Sequence, residues 1–294
     1  MGKLLSGKEV SLNLINKLKK NILKFKCEGI TPAAAFIRIG SQRDDVTYQN
    51  SILRVCNNVG VITILHELED NVTTDALIEL ITKLNEDSSI HGIMIFRPLP
   101  DDIDEELINN TISPEKDVEG MNSINLAKVF AGNYEGFAPC TATAVMEILD
   151  YYKISLKGKH AVILGRSMVV GKPLSMMLLK KDETVTLCHS KTERIDEISR
   201  TADVLVAAMG RANAVGVDYI KPGAIVIDVG INVDQNGKIH GDVNFDEVVN
   251  LASMITPVPG GVGSVTTAIL IKNIVKAARN FECNKPTAKV CELI

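Results

Sequence analysis

The sequence has no tryptophan, and aromatic residues make up only 4% of it, so it lacks the platform on which a nucleic-acid-binding surface stacks bases. It also lacks a useful charge excess: a net charge of -4 gives no counterion-release drive toward nucleic acid or an anionic membrane. None of its six cysteines sits in a C-x-x-C pair. That removes the zinc-ribbon and disulfide-framework readings, leaves no metal site to expect, and suits reduced thiols in a cytoplasm. No apolar run approaches the roughly 18 residues that a membrane span needs, and no short repeat or low-complexity tract interrupts the chain. The opening MGKLLS satisfies the permissive acyl-acceptor pattern at Gly2 and Ser6, but Ser6 ahead of GKEVSLNLINKL reads equally as a helix N-cap. What remains is a soluble, cytoplasmic protein with a small-molecule partner.

At 294 residues and 46% hydrophobic the chain can bury two cores, and two domains is the natural expectation. The first half alternates helix and strand signals: SLNLINKLKKNILKF, AAAFIRIG, TYQNSILRVCNNVG closed by Gly60, VITILHEL, TDALIELITKLNED, HGIMIFRPLP and DDIDEELINN. Such a series implies a parallel sheet. SPEKDVEGMNS reads as a polar loop. A second series starts at HAVILG and continues through SMMLLKK, TVTLCHS, ERIDEISR, ADVLVAAMG and AIVIDVGIN, with the strand period of about 25 residues that a mononucleotide-binding βαβαβ half requires. VDQNGKIHGDV reads as a hairpin with a type I′ turn at Asn236-Gly237. TTAILIKNIVKAARNF is a long apolar-striped helix, and the tail past Phe281 is expected to be loosely ordered.

A dinucleotide pyrophosphate needs bare backbone N–H groups where a strand meets a helix, and Gly165 and Gly171 stand at that junction. Their G-x5-G spacing is not the G-x-G-x-x-G fingerprint, so a plain strand-to-helix turn stays open on this segment alone. The next strand end sharpens the reading. It offers Cys188, His189, Ser190 and Lys191 where an NAD enzyme places an acid on the ribose hydroxyls. With Arg166 in the turn, cation and hydroxyl donors suit a 2′-phosphate, which favours NADP over NAD.

KDVEG at 116–120, PCTA at 139–142, GRSMVVGKP at 165–173, CHSKT at 188–192, PGAIVIDVGIN at 222–232, GDV at 241–243 and TPVPGGVGSVT at 256–266 follow one another along nearly the whole chain. In this the sequence resembles the methylenetetrahydrofolate dehydrogenase/cyclohydrolases. The resemblance implies an α/β fold of two domains facing a cleft. One is an N-terminal α/β folate-binding domain with a parallel sheet (1–138 plus a returning helix about 268–294). The other is a C-terminal Rossmann-type NADP-binding domain (139–267). It also implies a homodimer. Gly165, Arg166, Ser167, Gly171, Ser190 and Ile231 would bind NADP, and Pro259, Gly260, Gly261, Val262 and Gly263 would line the folate and nicotinamide pocket.

The first domain departs from the family pattern. Tyr48 is present, but Ile52 stands where the family carries a lysine, Phe96 where it carries a glutamine, and Glu119 where it carries an aspartate. Position 52 lies one helical turn from Tyr48 and shares its face. Hydride transfer from methylenetetrahydrofolate needs little of the protein beyond positioning. Hydrolysis of the methenyl product needs a titratable group, and Ile52 has none. The expectation is therefore dehydrogenase activity with weak or absent cyclohydrolase activity. The rivals are a full bifunctional enzyme, with Arg54, Arg97 (on the opposite side of its strand from Phe96) or an ordered water compensating for the lysine, and a binding protein without turnover. Glu119 keeps a carboxylate for the pterin N–H groups, one methylene longer.

Overall fold

The structure, a computed structural model, describes residues 2–133 and 135–283. In chain order the elements begin with β1 (Lys3–Leu4), α1 (Gly7–Cys27), β2 (Ala33–Ile39), α2 (Arg43–Val59), β3 (Ile62–Leu68), α3 (Thr74–Glu86) and β4 (Gly92–Ile95). They continue with α4 (Glu105–Thr111), α5 (Ser123–Phe130), α6 (Cys140–Tyr151), β5 (His160–Leu164), α7 (Gly171–Leu179), β6 (Thr184–Cys188) and α8 (Ile195–Ser199). The last are β7 (Val204–Ala207), β8 (Ile225–Asp228), β9 (Asn232–Val233), β10 (Ile239–His240), α9 (Phe245–Val248), β11 (Met254–Ile255) and α10 (Gly263–Cys283). Two compact units result. One holds residues 1–13, 129–133 and 138–266, and the other 14–128, 134–137 and 267–294.

Among the described residues, the second unit carries a parallel sheet in the order β3-β2-β4. The central strand AAAFIRI is buried at every position but the last, as a strand covered on both faces should be. Ala35 and Ile37 face Leu77 and Ile81 of α3 and Ile108 of α4 in one apolar core. Both helices start on side-chain caps: the Thr73 hydroxyl accepts from Ala76 N at 3.2 Å and Asp104 Oδ1 from Leu107 N at 2.9 Å, satisfying N–H groups that lack an intrahelical partner. α2 ends at Gly60, whose φ of 94° supplies the left-handed closure read from the sequence.

The first unit carries a parallel sheet in the order β1-β11-β8-β7-β5-β6 and a separate β10-β9 hairpin. Strand order reverses about β5 and β7, which places β5 and its following turn at a switch point of the doubly wound kind. Val162 and Leu164 of β5 join Leu205, Ala207 and Val226 in its core. The two-domain α/β architecture with parallel sheets is thus what the alternating signals implied.

Several local expectations need correction. The N-terminus forms an edge strand before its helix, Lys3 and Leu4 pairing with Met254 and Ile255. The 113–123 stretch is a loop, as read, up to the start of α5, but its polar residues turn inward: Lys116, Asp117, Gly120 and Asn122 are buried. The hairpin turn is not type I′: Gly237 has φ of 76° but Asn236 is not in the positive region. Asp234 Oδ1 organises it instead, accepting from Asn236 N at 2.8 Å and Lys238 N at 2.9 Å. The tail expectation falls largely outside the described residues, as does Cys291. Among the described residues no helix is long and apolar enough to cross a membrane.

Candidate functional site

In the second unit, α2 carries Tyr48 and Ile52 one turn apart. Tyr48 is half-exposed, whereas Ile52 keeps 1% of its surface. Phe96, just past β4, meets Tyr48 edge to face at 6.0 Å between ring centroids and lies 6.2 Å from Phe36. The structure therefore brings Tyr48 and Phe96 into contact, and their rings form an aromatic wall in which only Tyr48 bears a polar tip.

Glu119 is positioned by a loop built from buried polar residues. Lys116 Nζ donates to the carbonyls of Leu84 at 2.8 Å and Asp87 at 2.7 Å, which spends the lysine on the scaffold. Asp117 accepts from the backbone of Gly120 at 3.0 Å, Met121 at 3.1 Å and Asn122 at 2.8 Å, and from Asn125 Nδ2 at 2.9 Å. Ile93 N reaches Lys116 O at 2.8 Å, so the segment runs beside β4 and sets Glu119 Oε2 at 3.4 Å from Ile95 N. Burial pushes the Glu119 carboxyl up to about 7, with the Arg97 charge opposing that rise and Asp117 adding to it.

The Asp117 latch was assigned no role from sequence, and Arg97 only that of a substitute for the lysine in the bifunctional reading. Arg97 Nε lies 3.3 Å from Glu105 Oε1, and its Nη2 donates to Asn109 Oδ1. Strand alternation sets Arg97 on the opposite side from Phe96, and its positive charge acts on the Glu119 carboxyl. Arg54 is exposed on α2.

The pH behaviour of stability follows from Glu119. Its folded pKa of about 7 exceeds the ordinary 4.5, so the folded chain holds a proton that the unfolded chain releases. That contribution is complete below about 4.5 and is lost as pH rises through about 7. Glu119→Gln removes it. The stability of the parent relative to Glu119→Gln should fall between pH 5 and 8 by on the order of 3 kcal/mol, read as a widening Tm gap in favour of the variant. A gap that stays flat would place the carboxyl at its ordinary pKa.

In the first unit, Gly165 has φ of 137°, and a Cβ there would stand 2.2 Å from Ala208 O. At Gly171 a Cβ would stand 1.9 Å from Gly165 O. The turn thus closes backbone on backbone at the first turn of α7, where N–H groups and the helix dipole favour an anion. Arg166 and Ser167 are exposed, with Ser167 Oγ accepting from Val170 N at 3.1 Å. Leu164 pairs with Cys188 at the ends of β5 and β6, so Arg166 and the exposed Ser190 leave adjacent strand ends.

A pocket of about 200 Å³ collects Ile231, Pro259, Gly260, Gly261, Val262 and Gly263 with Val258 and Ser264. Gly260 has φ of 107°, and a Cβ on Gly261 would meet Pro257 O at 2.4 Å, so the loop's own path requires these glycines as much as any ligand would. Two buried aspartates that the sequence reading left without a role hold this side together. Asp228 accepts from the backbone of Gly230, Asp242 and Val243, and burial still raises it to about 6. Asp242 accepts from the backbone of Met209, Gly210 and Arg211 and from Asn232 Nδ2. The only signal for either was its place in the GDV and IDVG stretches.

Known proteins resemble this chain along nearly its whole length. The family profile for the tetrahydrofolate dehydrogenase/cyclohydrolase catalytic domain matches residues 5–119, and the profile for its NAD(P)-binding domain matches 139–282. The chain is 48% identical over 280 residues to bifunctional protein FolD 1 of Desulfitobacterium hafniense (strain Y51), covering 95% of this chain and 100% of that protein. A crystal structure of the bifunctional FolD enzyme from Campylobacter jejuni superposes with a TM-score of 0.93 at 42% identity, over 95% of this chain and 99% of that one. The Trypanosoma brucei FolD structure, complexed with NADP cofactor and inhibitor, gives 0.89 at 34%, over 95% and 98%.

Proposed function

This chain belongs to the tetrahydrofolate dehydrogenase/cyclohydrolase family, and from that premise we propose that it oxidises 5,10-methylenetetrahydrofolate to the methenyl form with NADP, and that its hydrolysis of the product is weak or absent. The observation that carries the second clause is Ile52, 1% exposed at the position where the family pattern expects a lysine. The first clause rests on the family and on the fit of the first unit to a dinucleotide. A Cβ at Gly165 or Gly171 would strike backbone, Arg166 and Ser167 lie exposed within the turn, and Ser190 leaves the adjacent strand end.

NADP, when bound, would supply the acceptor for the hydride of the methylene carbon. The chain's own part is to bind, orient and keep water out. The 139–267 segment would hold the dinucleotide, with the pyrophosphate against the first turn of α7 and Arg166 and Ser190 at the 2′-phosphate. Ile231 and Pro259–Gly263 offer a mostly apolar pocket to a flat ring. Residues 1–138, with the helix from 268 on, would hold the folate, its pterin on the Tyr48–Phe96 wall and its N–H edge on Glu119. A homodimer in the cytoplasm is part of the same reading.

The test is spectrophotometric: methenyl absorbance should appear when purified protein, methylenetetrahydrofolate and NADP are combined. No signal despite binding of both ligands would leave a binding protein. Arg166→Ala should raise the KM for NADP at least ~10-fold while changing that for NAD less than about 2-fold, because only NADP carries the phosphate that a guanidinium grips. Equal changes would discard the 2′-phosphate assignment.

One feature favours the full bifunctional reading: burial pushes the Glu119 carboxyl up to about 7, the range that suits a general acid–base. Under that reading methenyl decay is enzyme-dependent and disappears in Glu119→Gln.

A further inference from the structure

Residues 2–8 run beside β11 and on to the loop that follows it. Gly2 N donates to Val249 O at 2.7 Å, Lys3 N to Ser253 O at 2.8 Å and Leu5 N to Ile255 O at 2.8 Å. The Tyr152 hydroxyl, at the end of α6, holds the next residue, accepting from Ser6 N at 2.8 Å and standing 3.3 Å from Ser6 O. α1 then starts directly against the loop. Lys8 N, a first-turn donor that no intrahelical carbonyl serves, reaches Gly260 O at 3.3 Å. Gly7 is buried, and a Cβ there would stand 1.9 Å from Gly261 O, 2.5 Å from its carbonyl carbon and 3.1 Å from Gly260 O. Only a bare Cα permits that approach. Gly260 and Gly261 line the pocket of about 200 Å³ assigned above to a flat ring, and Gly7 does not. Gly261 O also accepts from Ser264 N at 3.0 Å, in the first turn of α10. Two helix starts therefore fix the loop's carbonyls, α10 by a hydrogen bond and α1 by backbone contact.

We propose that Gly7 is a positioning residue for the ring pocket: its missing side chain seats the first turn of α1 on Gly261 and so sets how closely the 259–263 loop holds a nicotinamide to its hydride donor. The inference rests on the functional reading above and deepens it by placing control of ring approach outside the pocket. Hydride transfer is steep in that approach, a misplacement of about 1 Å costing up to ~10²-fold in rate. A methyl on Gly7 meets only backbone and has no rotamer to escape into, so α1 or the loop must shift. Tyr152 acts at one remove, because its hydroxyl holds the residue from which α1 starts.

Rapid mixing of the intact protein with saturating NADP and methylenetetrahydrofolate reads the rate constant of a single turnover to the methenyl form. Gly7→Ala should lower that rate constant at least ~10-fold. A merely structural Gly7 would lower Tm and the amplitude of the turnover, since fewer molecules are folded, without moving the rate constant. Binding gives a second readout. The dissociation constant for NADP should rise at least ~5-fold in Gly7→Ala, the lower end of what overpacking costs. That for adenosine 2′,5′-bisphosphate, which has the 2′-phosphate but no nicotinamide, should stay within about 2-fold, as for a separate and independent site. Tyr152→Phe leaves Gly7 alone but releases Ser6, and should slow the single turnover about 3-fold, in keeping with the loss of one hydrogen bond. A Gly7→Ala protein with the parental rate constant, or one that loses NADP and the bisphosphate equally, overturns the proposal. If Gly7→Ala does not fold, Tyr152→Phe decides, and a parental rate constant there overturns it. A parent that forms no methenyl product sinks the catalytic reading alone, and the split between NADP and the bisphosphate then decides the positioning role. A parent that binds neither dinucleotide nor bisphosphate sinks both.

Discussion

Methenyltetrahydrofolate mixed with the purified protein should decay at little more than its rate in buffer, and the double variant Ile52→Lys/Phe96→Gln should speed that decay about 10²-fold. Hydrolysis adds water to the methenyl carbon and must move protons as the ring opens, and a positioned acid–base group supplies about 10² to 10⁴ of such a rate. Ile52 has no proton to move. Lysine alone at that position is expected to do harm first: the site is 1% exposed, so an ammonium there would be buried without a partner, a change that typically costs about 3–5 kcal/mol.

Phe96 explains why one substitution is not enough. Its ring is packed between Tyr48 and Phe36, and it offers neither volume nor an acceptor. Phe96→Gln opens space and contributes an amide oxygen, so the pair should recover Tm relative to Ile52→Lys alone and show the gain in hydrolysis. The two natural residues agree with each other for the same reason: removing one polar partner from a buried pair makes the other expensive to keep. Rapid decay with the parent protein would refute the reading. If that decay also vanished in Glu119→Gln, the carboxyl would be identified as the group that replaced the lysine.

How much of this could be read from sequence differs by element. Strands such as AAAFIRI and HAVIL are long, apolar and bounded by breakers, and helices such as TDALIELITKLNE show their caps and their buried i, i+4, i+7 stripe, so β2, β5 and α3 were legible. β1 and β11 were not, because two residues have no period and their pairing is set only by tertiary contact. Nor was the scaffold of the site. Asp117, Asp228 and Asp242 look like surface acids in composition, yet each is buried; Asp117 latches its own loop, while Asp228 and Asp242 collect backbone N–H groups from loops that only the fold brings together. The motif frame did single out Tyr48, Ile52, Phe96 and Glu119, since a missing lysine is visible only against a pattern. Arg97, which strand alternation sets opposite Phe96, was read only as a substitute for the lysine, and its bonds to Glu105 and Asn109 of α4 were not visible in the sequence.

Gly171→Ala should raise the dissociation constant for NADP by about 10²-fold or more, equivalent to about 2.7 kcal/mol, while leaving pterin binding by the other unit in place. The added methyl would sit 1.9 Å from Gly165 O and 2.6 Å from its carbonyl carbon. Both are backbone atoms, so no side-chain rotation can relieve the clash, and α7 must move away from the turn. Overpacking of this kind typically costs about 1–3 kcal/mol of stability. The larger loss should appear in binding, because the displacement parts the first-turn N–H groups from the turn that presents them. Gly158→Ala provides the contrast. Gly158 has φ of 73° but nothing within 4 Å of a built Cβ, so alanine there should cost about 1 kcal/mol of backbone strain and leave NADP affinity unchanged. Titration of NADP against both variants, alongside their Tm values, separates loss of a shaped turn from loss of stability. A Gly171→Ala protein that binds NADP like the parent would show that this turn does not hold the dinucleotide.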